Sequence, residues 1–302
     1  MNCIKYKINN HIVLNDEDIR KVIRKRLCEL KYKNKNIVSF INDKKYVDYM
    51  AYTVMNNKVL IDKNYKSSTL EGIISDFLVK LKVNKNNNIF IKDAYNLEIL
   101  SSLYHEIRHK EQYNLYFDEG GYYNYLLKVS LEYMDMNYDF YKNKHNQFLS
   151  EYDAEIKAYM LVLDSIEKEY TNISESSVYW LNANIAYFIL SSRGYKLKGD
   201  KLERKNHFKS PLHLLTFLTK SWYENNSKYQ KYYKYTINAI KEVRCNKTEY
   251  EKLIIGDNLN EETINELYLI ALGKIKTKNI FKYFENKLSK EKTKYLCKKI
   301  QN

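Results

Sequence analysis

The sequence predicts an α+β fold that is predominantly helical, with a small N-terminal sheet and an all-helical C-terminal part. Three observations lead there. The 302 residues include one proline, Pro211, and only seven glycines, so few positions interrupt a helix. Hydrophobic residues make up 44% and aromatics 15%, enough apolar surface for a substantial core. Short β-branched runs gather in the first hundred residues, whereas helical spacing dominates afterwards.

Taken in order, "NDEDIRKVIRKRLCELKY" has helical spacing behind an Asn or Asp cap. "NIVSFIN", "KVLID" and "NIFIKD" read as strands. From Asn96 onward the spacing predicts helices over about 97–113, 122–141, 150–170 and 176–192. Breaks fall at Gly120-Gly121 and at the polar run "KNKHNQ". Residues 192–211, with two glycines and the proline, read as a long loop or boundary. Further helices are expected at Leu212 to Glu224, Tyr229 to Val243 and Glu261 to Leu272. This divides the chain into a domain over 1–192 and a helical C-terminal subdomain over 193–302. "SVYWLNANIAYFIL", residues 177–190, is apolar enough to be buried and is expected to pack on the first of these.

The net charge of +14 admits nucleic acid, an anionic surface or an acidic protein as partner. Its scatter along the chain, together with the enrichment in Lys, Asn, Ile and Tyr, fits compositional bias better than a specific nucleic-acid interface. Cys3, Cys28, Cys245 and Cys297 form no CxxC pair, so neither a zinc knuckle nor a thioredoxin-like motif is available and reduced thiols are expected. There is no secretory hydrophobic core and no span of about 18 apolar residues, which predicts a cytoplasmic protein without a membrane span.

The chemistry gathers in "LYHEIRHKEQY", residues 103–113. The chain has six histidines, and two of them, His105 and His109, lie about 40° apart on a helical wheel and one turn along it. Their imidazoles can converge on one ion, with Glu106 beside them where it can reach a metal-bound water. Leu100, Leu103 and Ile107 fall on the opposite, core-facing side. A third protein ligand is needed, with water in the fourth position. In "SEYDAEIKAYMLVL", residues 150–163, Glu151, Ala154, Glu155, Ala158 and Val162 share one face. Glu151 is the favoured ligand and Glu155 its rival; with Glu151 on the metal, Glu155 can accept from a histidine N–H as an outer partner. Ser150 and Asp153 fit a capping box.

These residues resemble the zincin-like metallopeptidases of the gluzincin type, in which HExxH is followed on a later helix by a glutamate. "HEIRHKEQ" with "EYDAEIKAY" looks most like the intracellular ImmA/IrrE-like group, over about residues 55–165. Arg108 stands where many such enzymes have a small or apolar residue, and Glu155 where that group usually has Asn. The resemblance implies a zincin-like catalytic domain holding one Zn²⁺ on His105, His109 and Glu151, with Glu106 as general base. "NIFIKD" would then be the active-site edge strand. It also implies a protein or peptide substrate, such as a regulatory protein inside the cell; a toxin-like relative would cut a host protein instead. His207 and His213 are candidates for stabilising the oxyanion. The alternative is a non-enzymatic basic helical protein, binding nucleic acid or another partner, with a structural or degenerate metal site.

Overall fold

The computed structural model describes residues 11–42, 50–53, 56–65, 88–116, 121–136, 145–170, 172–199, 201–204, 208–227, 230–245 and 259–287. Most of these residues are helical and the sheets are small. No helix among them is long and apolar enough to cross a membrane. The chain divides into two compact units, Met1–Asn114 with Ala154–Leu181, and Leu115–Asp153 with Asn182–Asn302.

In the first unit, α1 (Asp16–Glu29) starts at a full capping box. Asn15 Oδ1 accepts from the amides of Glu17 and Asp18 at 2.9 and 3.0 Å, and Asp18 Oδ2 accepts from Asn15 N–H at 3.2 Å. Acidic residues fill its first turn, where the helix dipole favours them. Ile19, Val22, Ile23 and Leu27 turn inward. Three strands follow, β1 (Val38–Ile41), β2 (Met50–Thr53) and β3 (Lys58–Asp62), in the order β1-β3-β2. β1 runs parallel to the central β3 and β2 antiparallel to it, which leaves β2 at an edge of the described sheet.

The long helix α2 spans Asn88–Tyr116. "NIFIKD", expected as a strand, is its first turn and a half. Phe90, Ala94 and Leu97 are fully buried at helical spacing while Ile89 is exposed, so one-sided burial overrides the β-branched local preference. Asp93 and Asn96 fasten the preceding chain to this helix: Asp93 Oδ1 faces His11 Nδ1 at 2.9 Å, and Asn96 Oδ1 accepts from Leu14 N–H at 2.9 Å. The indole of Trp180, near the start of α5 (Glu175–Ser192), meets the Phe90 ring of α2 edge-on at 6.4 Å.

In the second unit, α3 (Gly121–Met136) begins at Gly121, whose φ of +85° suits glycine. One 3₁₀ turn, His145–Gln147, leads into α4 (Leu149–Glu169), of which the residues up to Asp153 belong to this unit and those from Ala154 to the first. The capping box expected of Ser150 and Asp153 does not set this start, because the helix already begins at Leu149. Their side chains serve packing instead: Ser150 Oγ lies 3.1 Å from Ser130 Oγ, and Asp153 accepts from Tyr123 Oη at 2.8 Å. Residues expected as a long loop contain a hairpin, β4 (Tyr195–Lys198) with β5 (Lys201–Arg204), turning at Gly199 with φ +58°. Ser210 caps α6 (Pro211–Glu224), and α7 (Gln230–Cys245) and α8 (Glu261–Ala271) complete the described elements that have full bounds. Leu126, Phe148, Leu215 and Ile240 are among the buried residues of this unit's core. Cys245 is a free, exposed thiol; Cys3 and Cys297 lie outside the described residues.

Candidate metal centre

Helix α2 presents His105 and His109 one turn apart, with Leu100, Leu103 and Ile107 completely buried on the other side. The two rings lie 4.6 Å apart, nearly perpendicular at 79°. Their Nε2 atoms approach to 2.9 Å. Each Nδ1 faces an oxygen: Glu155 Oε2 at 2.7 Å from His105, and Gln112 Oε1 at 2.9 Å from His109. A carboxylate or amide oxygen only accepts, so these contacts favour the proton on each Nδ1. The Nε2 lone pairs then point at each other, an arrangement that a cation between them relieves. Tetrahedral Zn–N bonds of about 2.0–2.1 Å would set two nitrogens about 3.3 Å apart, a small adjustment.

Among the described residues one group can hold a metal ion: His105, His109 and Glu151 each offer a ligand atom, and these atoms all lie within 4.8 Å of one another. Glu155, one turn further along α4 than Glu151, uses Oε2 on His105 Nδ1 and falls outside that group. The donor set of two imidazoles and a carboxylate suits zinc and leaves a position for water.

Glu106 leaves the helix on another side, where its Oε2 accepts from the backbone N–H of Tyr52 in β2 at 2.6 Å. The Tyr52 hydroxyl donates to Asn57 Oδ1 at 2.8 Å. Lys110 donates to the same oxygen, with its ammonium 4.8 Å from the Tyr32 ring centre and 5.7 Å from that of Tyr52. Burial lowers the Lys110 pKa. The strand end that holds Glu106 is thus clamped to α2.

Behind His105, burial and then the Glu155 charge push Glu98 up to about 7. Burial, followed by the charges of Glu155 and Glu98, also raises Tyr159, which hydrogen-bonds Glu155. Arg108, unusual for such a motif, pairs with Glu111 at 2.8 Å, and Arg26 reaches the other oxygen of Glu111 at 3.3 Å. It is therefore used in packing α1 on α2.

Of the two histidines considered for the oxyanion, His207 lies outside the described residues. His213 accepts from the Lys209 amide through Nδ1 at 3.1 Å and has its ring 5.8 Å from Phe208; its described bonds are local to the start of α6. Two groups escaped the sequence reading. One is the Tyr52 amide, since no residue type announces a backbone donor. The other is His145, whose Nε2 lies 3.1 Å from Glu151 Oε2. A scarce histidine just before the helix that carries Glu151 was the available signal, but "KNKHNQ" reads only as a break. No family model, characterised protein or solved structure matches the chain.

Proposed function

We propose that this protein is a zinc-dependent metallopeptidase of zincin-like, gluzincin type, hydrolysing a peptide bond in a protein substrate. The observation that carries the reading is the pair of imidazoles whose Nδ1 atoms face acceptors while both Nε2 atoms converge at 2.9 Å, with Glu151 in the same group. His105, His109 and Glu151 would hold the ion; bound zinc supplies Lewis acidity that makes its water a nucleophile near neutral pH. Glu106 would act as the general base, taking a proton from the attacking water and passing it to the leaving amine. The Tyr52 N–H on Glu106 Oε2 favours the ionised carboxylate, which a general base must be. Glu155 and Gln112 fix the tautomers of the two imidazoles. A regulatory protein in the cytoplasm fits the intracellular group that the motif resembles.

Two measurements test the reading. Purified protein should contain about one zinc per chain, and His105→Ala should lose it. Glu106→Gln should keep the metal while cleavage of a peptide library falls about 10²–10⁴-fold. Metal-free wild-type protein, or undiminished cleavage by Glu106→Gln, overturns the assignment.

A further inference from the structure

Tyr52 lies opposite Val59 in the β2–β3 pair. Val59 gives its N–H to Ile37 O at 2.6 Å, on the β1 side. The Tyr52–Val59 pair therefore exchanges no ladder bonds, and the Tyr52 N–H faces away from β3, where Glu106 Oε2 meets it. β2 is an edge strand of four residues, all half-buried, so its own ladder holds it weakly. The aim of that N–H depends on what else fixes the strand beside α2.

Lys110 lies one turn after Glu106 on α2, so the two side chains are neighbours on the helix surface. It is only 6% exposed, and its partners among the described residues are Asn57 Oδ1 and the rings of Tyr32 and Tyr52, none of them an acid. Burying an ammonium without an acid costs desolvation energy that an apolar side chain in its place avoids. Asn57 directly precedes β3 and has φ +49°, a left-handed conformation that Asn tolerates. Its one oxygen joins the head of β3 to α2. We propose that Lys110 is a positioning residue for the general base: through Asn57 it fixes the backbone of the β2–β3 pair against α2 and so aims the Tyr52 N–H at Glu106. The proposal rests on the metallopeptidase reading.

The test compares wild type with Lys110→Met, Asn57→Gly and the double variant. Met keeps an unbranched apolar stem without the donor, and Gly keeps the left-handed backbone without the acceptor. Hydrogen exchange of the Tyr52 amide is followed by NMR in the metal-free protein, and kcat and KM are measured on a cleaved peptide with zinc bound. Each single variant should speed the exchange about tenfold, the worth of one hydrogen bond to a charged group. Each should lower kcat about 10–100-fold while KM and zinc content stay unchanged. The double variant should match the single ones, because both remove the same contact. Asn57→Asp, which keeps an acceptor for the ammonium, should recover both losses of Asn57→Gly. Wild-type exchange or wild-type kcat in Lys110→Met, or losses that add in the double variant, overturns the positioning role and leaves the metallopeptidase reading standing. Should Lys110→Met fail to fold, Asn57→Gly decides by the same two readouts. Wild type that binds no zinc or cleaves no peptide overturns both.

Discussion

His213 on α6 and the pair His105 and His109 on α2 put the same side chain to different uses. His213 directs Nδ1 to the Lys209 amide and so serves the start of its own helix. His105 and His109 direct Nδ1 to oxygens of Glu155 and Gln112, and their Nε2 atoms meet. The comparison teaches that the fate of one ring nitrogen decides what the other can do. An imidazole whose Nδ1 accepts a backbone proton is a capping group; one whose Nδ1 donates to an acceptor keeps the Nε2 lone pair that a metal would need.

The largest expected effect separates the two classes directly. His109→Ala should abolish stoichiometric zinc in metal analysis, whereas His213→Ala should leave it intact and cost less than about 1 kcal/mol in urea unfolding, the worth of one exposed hydrogen bond. Zinc loss in both variants would erase the distinction.

A smaller effect is expected from the Nδ1 partner alone. Glu155→Gln replaces an ionised acceptor by a neutral amide and should weaken zinc about 10–100-fold without removing it, as read by chelator competition. Unchanged affinity would mean that the Nδ1 contact does not set the ligand.

The smallest concerns the acid behind His105. Folding lifts Glu98 from its ordinary 4.5 to about 7, so the folded state keeps a proton that the unfolded chain releases. Stability from this group is full below about pH 4.5, declines as pH rises to 7 and is absent above that. In the metal-free protein, Glu98→Gln should flatten this decline and raise stability at pH 8 by about 2 kcal/mol, discounted for the partial exposure of the residue. Urea midpoints at pH 5 and pH 8 measure it; an equal decline in the variant refutes the buried acid.

The legible parts of the molecule were those with long periodicity. The helix of His105, the apolar 177–190 segment and the helix of Glu151 are each several turns long with no proline or glycine to interrupt them, and that signal is cumulative. "NIFIKD" misled because six residues with two isoleucines look like a strand, and only the pocket around Phe90 shows that they begin a helix. The hairpin of Tyr195–Lys198 with Lys201–Arg204 did carry a signal, with Leu197 opposite Leu202 and a glycine at position 199, but its many charges made it resemble loop. β2 has four residues, all half-buried, too short for any period to emerge. In the candidate site, His105, Glu106, His109 and the two rival glutamates could be read from spacing alone. That Glu155 meets a histidine ring nitrogen was read as well; that the histidine is His105 could not be, because it depends on how two helices rotate against each other.

The hydrogen bond from Tyr52 to Glu106 comes from the main chain. Every amino acid except proline supplies that donor, so the side chain at position 52 can vary while the aim of Glu106 is kept. The donor to Glu106 thereby survives any such replacement of Tyr52, whereas the contacts of its hydroxyl with Asn57 and of its ring with Lys110 do not. Selection at this point acts on the path of the backbone.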